Sequence, residues 1–396
     1  MTAYLDHAAT TPMFPEALAA MTTQLAETGN PSSLHHAGRR ARRAVEESRE
    51  RIATAIGARP SEVVFTSGGT EADNLAVKGT FLARRDADPD RVRVLVPATE
   101  HHAVLDSVGF LVEHEGAQVT WLEVTPEGFV DPETVRAAIA TDPASVALVS
   151  VLWAGNEIGV VQDVPAIAAI AAEHGIPVHT DAVQAVGHVP VDFSASGVDL
   201  LSMTGHKLGG PVGVGALVAR RDATLVPLSH GGGQERQLRS GTLDAPAIVG
   251  FAAAAERAVT ELEREATRLG ALRDALIEGA MALEPGIRPS GHWQRGDVRR
   301  RLPGNAHLVV PGCDGDSLLY LLDAAGIACS TGSACQAGLP QPSHVLLALG
   351  VPESEARGAL RLTLGHTSTA DDVSTFLRAL PGAVSRARRA REATAS

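Results

Sequence analysis

Lys207 is the only lysine after Lys78 in a chain that draws its other positive charge from arginine. It ends the stretch Leu200-Leu201-Ser202-Met203-Thr204-Gly205-His206-Lys207, and Gly209, Gly210, Pro211 and Gly213 follow. A lysine amine can shed its proton and form a Schiff base, whereas a guanidinium cannot. A surface lysine in a turn is the plain alternative. Two further stretches bear on the choice. Thr66-Ser67-Gly68-Gly69-Thr70-Glu71 lies between an apolar run and a helical pattern. Its glycines let free N–H groups at a helix start face outward, a setting for a phosphate, although a strand–helix turn also uses glycine for shape alone. His179-Thr180-Asp181 sets a carboxylate at the end of an apolar run, where it can cap a helix or pair with a protonated ring nitrogen. An amine for an imine, a carboxylate for a pyridinium and a phosphate turn together meet the requirements of pyridoxal phosphate. Thr99-Glu100-His101-His102 adds an imidazole able to stack on a ring and shuttle protons. The other histidine of that pair reads as a loop residue.

These residues need a scaffold that brings loop ends together, and the pattern from Glu62 supplies one. Apolar runs at Val63–Thr66, Val92–Val96, Val119–Leu122, Val146–Leu152, Pro177–Thr180, Leu200–Met203 and Val214–Val218 read as strands. Helical patterns lie between most of them, as at Glu71–Arg84, Asp131–Ala140 and Val164–His174. Strands separated by helices predict an α/β fold with a mostly parallel sheet covered on both faces. Ligands of such sheets bind beyond the carboxyl ends of the strands, where the chemistry-bearing residues fall. A long helical connector from Pro246 to about Leu283 precedes a smaller α+β unit, and Arg386–Ser396 reads as a charged tail that frays.

With 396 residues, 44% apolar and 20% charged, the chain reads as soluble and globular. Its net charge of −12 argues against nucleic acid as a partner. Three cysteines make no disulfide framework and fit a reducing compartment. Absence of a signal-peptide pattern or a membrane-span run points to the cytoplasm, and no metal is expected.

The chain resembles the cysteine desulfurases of the pyridoxal-phosphate-dependent fold-type I, class V aminotransferase family. Carrying the resemblance are Tyr4–Pro12, Gly29–Ser33, Thr66–Asn74, Thr99–His101, Asn156–Gly159, Asp181–Gln184, Gly205–Lys207 with Gly210–Gly213, Arg239–Thr242, Ser333–Cys335 and Arg361–Gly365. They run in family order along nearly the whole chain. The resemblance implies a large cofactor-binding domain at 14–255, with a sheet of the seven-stranded type. Residues 1–13 and 256–396 would form a smaller domain carrying a catalytic cysteine loop. It implies Lys207 as the Schiff-base lysine, His101 stacked on the cofactor ring, Asp181 at the ring nitrogen and Gln184 at the ring hydroxyl. Gly69, Thr70, Thr204 and His206 would hold the phosphate, with Thr242 reaching in from a second subunit of a homodimer. Asn156 and Arg361 would bind the carboxylate of L-cysteine. Cys335 would take the substrate sulfur as a persulfide, leave L-alanine and deliver to an acceptor protein. Arg361, flanked by Leu360 and Leu362, reads as a buried charge left unpaired until substrate arrives. His366 stands where the family often has arginine. Which acceptor is served, in iron–sulfur cluster assembly or another thiolation pathway, is left open.

Two other readings share some of these residues. A selenocysteine lyase, or another lyase of the superfamily, would use every cofactor residue named. A nucleotide-binding module would use only the Ser67–Thr70 turn, and the chain lacks the dinucleotide and Walker glycine patterns.

Overall fold

The computed structural model describes residues 2–331 and 342–395. Two short elements, β1 (Ala3–Tyr4) and α1 (Pro15–Leu25), precede α2 (His36–Ala55). An alternating series follows: β2 (Val63–Thr66), α3 (Gly69–Ala87), β3 (Arg93–Pro97), α4 (His102–Glu115), β4 (Gln118–Leu122), α5 (Pro132–Thr141) and β5 (Val146–Ser150). It continues through α6 (Val164–Ala172), β6 (Val178–Asp181), α7 (Phe193–Ser196), β7 (Leu200–Thr204) and β8 (Gly215–Ala219).

These strands make one seven-stranded sheet in the order β2-β8-β7-β6-β5-β3-β4. Only β8 runs against its neighbours; the pairs from β7 through β4 are parallel. Every residue of β2, β3, β5, β6, β7 and β8 is buried, as near-continuous apolar strands covered on both faces must be. The edge strand β4 is the exception, with an exposed Trp121. Its core packs Phe65, Leu95, Val149, Val178, Leu201 and Met203 with helix residues such as Ile52, Ile167 and Phe251.

The expected single connector is two helices, α8 (Ala245–Thr260) and α9 (Leu262–Leu283), which meet at Glu261. The break separates two allegiances. Ala247, Ile248 and Phe251 of α8 pack under the large sheet, whereas Leu269, Leu276 and Ile277 of α9 join a second core. Around that second core lie β9 (Arg288–Pro289), β10 (Asn305–Val309), α10 (Gly315–Asp323), β11 (Ile327–Ala328), β12 (Ala359–Thr363) and α13 (Ala370–Ala395), while α11 (His344–Ala348) and α12 (Glu353–Ala356) pack with Ile158, Val160 and Val309 in a separate cluster. The sheet of the second core has the order β12-β10-β9, and β1 pairs in parallel with β11, so the first residues sit beside the last third of the chain.

The fraying tail is corrected by the structure. α13 runs on through Pro381 to Ala395. Val384 and Ala387 are buried against the second core, Arg388 pairs with Glu284 at 3.1 Å, and Arg391 donates to the Cys313 carbonyl. Long-range burial holds a segment whose local composition reads as solvated.

Candidate active site

A cavity of about 350 Å³ opens beyond the carboxyl ends of the parallel strands. Gly69, Thr70, His101, Asn156, Asp181, Gln184, Thr204, His206, Lys207 and Arg361 all line it. β6 ends in Asp181 and β7 in Thr204, so adjacent strands deliver the carboxylate and the lysine loop side by side. The second core contributes Arg361 from β12 and Ser330, joined to it by a two-way backbone bridge. Ala8 and Ala9 close the cavity from the N-terminal segment. Thr242 is exposed and is not brought to this cavity within the chain. Cys335 lies outside the described residues.

At the turn into α3, Ser67 N–H donates to Glu71 Oε2 at 2.6 Å, and Arg239 Nε donates to Glu71 Oε1 at 2.9 Å. The first N–H groups of a helix have no partner inside it, which makes this turn a receptor for an anion. Glycine at 69 is required by space. A Cβ there would sit 2.6 Å from Val183 Cγ2. Thr204 Oγ1 stands on the same side and donates to the Val214 carbonyl.

Asp181 accepts the Val183 N–H at 2.9 Å. No arginine, lysine or histidine among the described residues lies within ion-pair distance of it. Two other acids crowd the same region. Asp73 of α3 is buried with Oδ1 lacking a hydrogen-bond partner, and Glu100 is buried with Oε2 lacking one. His179 stands 3.5 Å from Asp73, and Ser150 and Ser202 flank its ring at 2.9 and 3.0 Å. Burial, then Asp73, pushes the Asp181 carboxyl up to about 7. Burial takes Asp73 to about 7 as well, and Glu100 well above its ordinary range. Burial also holds His179 down to about 4, hence neutral. A cationic group from outside the chain would relieve Asp181.

Lys207 Nζ donates to the carbonyls of Ala8 and Ala9, at 2.5 and 2.6 Å. Burial, then Arg361, lowers its ammonium to about 8, so the amine is far easier to free than a surface lysine's. His206 stands 3.4 Å from Thr10 Oγ1, and burial and Lys207 bring it down to about 4. His101 caps α4 by accepting the Ala103 N–H on Nδ1, leaving its ring open to the cleft; burial lowers its pKa. Gln184 Nε2 donates to the Ala8 carbonyl at 2.9 Å.

The expectation that Arg361 is unpaired is corrected. Its Nη2 meets Asp6 Oδ1 at 2.9 Å, and Nη1 donates to the Asn156 carbonyl at 3.3 Å. Among the described residues, Nε alone of its nitrogens is buried without a partner. Asp6 comes from the N-terminal segment 355 residues away, so no local pattern announces the pair. His366 stays off the main cavity, its ring packed on Phe14 with centroids 4.4 Å apart.

Nothing in the sequence alone gives a role to Asp6, Asp73, Glu100 or the carbonyls of Ala8 and Ala9. Asp73 had a signal: it shares a helical face with Val77 and Thr80, both buried, and a carboxylate on an apolar stripe calls for a partner. Of the two cysteines described, both are free and buried. Burial raises the Cys313 thiol and pushes Cys329 up to about 12, so neither is a ready nucleophile.

The aminotransferase class-V family model matches residues 3–376. An IscS-like cysteine desulfurase of Mycobacterium tuberculosis is 57% identical over 393 residues, with 99% of each chain covered. Cysteine desulfurase IscS of Methanosarcina thermophila is 43% identical, covering 97% of this chain and 92% of its own. Among solved structures, a NifS-like protein superimposes with a TM-score of 0.87 at 33% identity, covering 98% of this chain and all of its own. SspA in complex with cysteine gives 0.78 at 35% identity, covering 92% and 99%.

Proposed function

This chain belongs to the aminotransferase class-V family and is a pyridoxal-phosphate-dependent cysteine desulfurase, and on that premise we propose that it acts as a homodimer, stores the substrate sulfur as a persulfide on Cys335 and passes it to an acceptor protein. One observation carries the assignment of the site: Lys207, Asp181 and the N-terminus of α3 converge on one cavity.

The residues present fit the cofactor. Asp181 is a buried carboxylate with no cationic partner among the described residues, as a site for a pyridinium nitrogen requires. Gly69 and Thr70, at the N-terminus of α3, line the cavity, and the N–H groups of a helix start suit a phosphate. Gly69, Thr70, Thr204 and His206 would hold that phosphate, the neutral His206 as a donor, and Thr242 would reach it from a second copy. His101 would stack on the ring, and Gln184 would serve the ring hydroxyl. Bound pyridoxal phosphate supplies the electron sink for bond cleavage at the substrate Cα.

The chain's own groups do the rest. Arg361 and Asn156 fix the cysteine carboxylate, with the unpartnered Nε of Arg361 as one donor. Lys207, its ammonium already lowered to about 8, takes the Cα proton and later returns one. The Cys335 thiolate attacks the substrate sulfur, the substrate C–S bond breaks, and the sulfur stays on the enzyme while protonation releases alanine. Free, buried thiols at Cys313 and Cys329 favour a reducing compartment, and we place the protein in the cytoplasm.

The test is to give the holoenzyme cysteine briefly, alkylate it and map the peptides. Extra sulfur is expected on Cys335 alone. Cys335→Ser is expected to keep the cofactor yet release no more than a trace of alanine, while Cys329→Ser turns over normally. Persulfide on Cys329 with Cys335→Ser still active would overturn the mechanism.

A further inference from the structure

The large sheet has a second cavity at its opposite end, and its volume of about 290 Å³ nearly matches that of the active site. Its walls come from the same elements seen from behind. Thr80 and Arg84 lie on α3, Pro177 just ahead of β6, Asp199 just ahead of β7, and Arg220 and Asp222 just after β8.

The four charged side chains, two of each sign, face one space: Arg220, Asp222 and Arg84 all act on the charge of Asp199. Proteins ordinarily close such groups into ion pairs. Here none of the four makes an ion pair within 4.0 Å among the described residues. Asp199 Oδ2 accepts only the Val178 N–H, at 2.8 Å, and Arg84 gives one N–H to the Gly175 carbonyl at 3.3 Å. Arg84 Nε is buried with no hydrogen-bond partner, and so is Oγ1 of Thr80, a residue only 2% exposed. Burial raises the Asp199 carboxyl and lowers the Arg84 guanidinium, the cost of charges held without partners.

We propose that this cavity binds a small zwitterion of the amino-acid class, its carboxylate on Arg84 and Arg220 and its ammonium between Asp199 and Asp222. Guanidinium groups match a carboxylate with paired donors, and carboxylates are the natural partners of an ammonium. A simple anion would leave both aspartates unanswered, and a simple cation both arginines. The volume lies at the small end for ligand cavities, which suits a molecule of a few heavy atoms. The site is independent of the desulfurase chemistry, because none of its residues touches the active-site cavity.

The test is calorimetric titration of the holoenzyme after borohydride has fixed its cofactor to Lys207, so that no imine can form with an added amino acid. The probes are L-alanine, propionate and ethylamine. Saturable binding of L-alanine is expected, with each single-charge probe at least about tenfold weaker. Arg84→Gln combined with Arg220→Gln should weaken L-alanine at least about tenfold, while untreated enzyme with the same changes keeps wild-type cysteine turnover. Asp222→Asn, at an exposed position, should lower affinity without burdening the fold. Absence of saturable binding, propionate binding equal to that of L-alanine, or unchanged affinity in either variant would overturn the proposal.

Discussion

Arg361→Ala is the perturbation that separates a substrate contact from a structural ion pair. Arg361 stands at β12 with its side chain only 6% exposed, one N–H on Asp6, one on the Asn156 carbonyl, and Nε free. A hydrogen bond to a charged group contributes about 1.5–3 kcal/mol. Loss of the cysteine carboxylate contact therefore raises KM by about 10- to 150-fold. The assay is alanine release against cysteine concentration, with cofactor content and melting temperature measured on the same samples. Arg361→Ala also breaks the Asp6 pair and lowers the melting temperature, so stability alone decides nothing. Asp6→Asn is the control, because it removes the same ion pair and leaves the guanidinium in place. The expected result is a large KM change for Arg361→Ala, a small one for Asp6→Asn, and full cofactor content in both. If the two variants raise KM equally, Arg361 acts by holding Asp6 and not by holding substrate, and the reasoning fails.

Two further outcomes follow from the electrostatics. Glu235→Gln strips the buried Arg49 of its bidentate partner at 2.6 and 2.8 Å; since Glu46 still reaches Arg49 at 3.1 Å, the loss of unfolding free energy in a urea titration should fall near the low end for a broken buried pair, about 3 kcal/mol. An unchanged unfolding midpoint would remove that pair as the anchor of the Glu235–Gln237 turn, three successive non-glycine residues with φ between 45° and 65°. Lys207 must be neutral to react, and with its ammonium lowered to about 8 the rate of cofactor uptake by apoenzyme should rise with pH, reach half its limit near pH 8 and level off above that. A rise continuing toward the ordinary lysine value of 10.5 would show that burial does not tune it.

How much of this was legible depends on the range of each interaction. The strands of the large sheet could be read because each is a short apolar run buried on both sides, and the cofactor residues because each sits at the end of such a run. The break at Glu261 was hidden, since Pro246 to Leu283 keeps helical spacing throughout. α13 past Pro381 was hidden for the opposite reason: its arginines look solvated until Glu284 and the carbonyls of Pro311 and Cys313 are brought beside it. The Asp6–Arg361 pair was hidden by 355 residues of intervening chain. Glu235 was hidden because its partner, Arg49 of α2, lies 186 residues earlier.

Asp181 does not cap a helix, because turns follow β6 and the next helix is α7; one oxygen closes a turn by accepting the Val183 N–H. That bond uses one side of the carboxylate and leaves the residue lining the cavity. What sequence alone could not supply is its surroundings. Asp73 approaches from α3, Glu100 from the loop after β3, and neither brings a cation with it. Three acids buried together cannot all stay ionised without one, and burial accordingly pushes Asp73 and Asp181 to about 7. A cation placed at Asp181 changes that balance at an acid that lines the cavity together with Asp73, while Glu100 is not among the lining residues. The arrangement therefore favours a ligand with positive charge at that one point and negative charge at the N-terminus of α3. Those are the two ends of a protonated pyridine bearing a phosphate, and Lys207 stands in the same cavity.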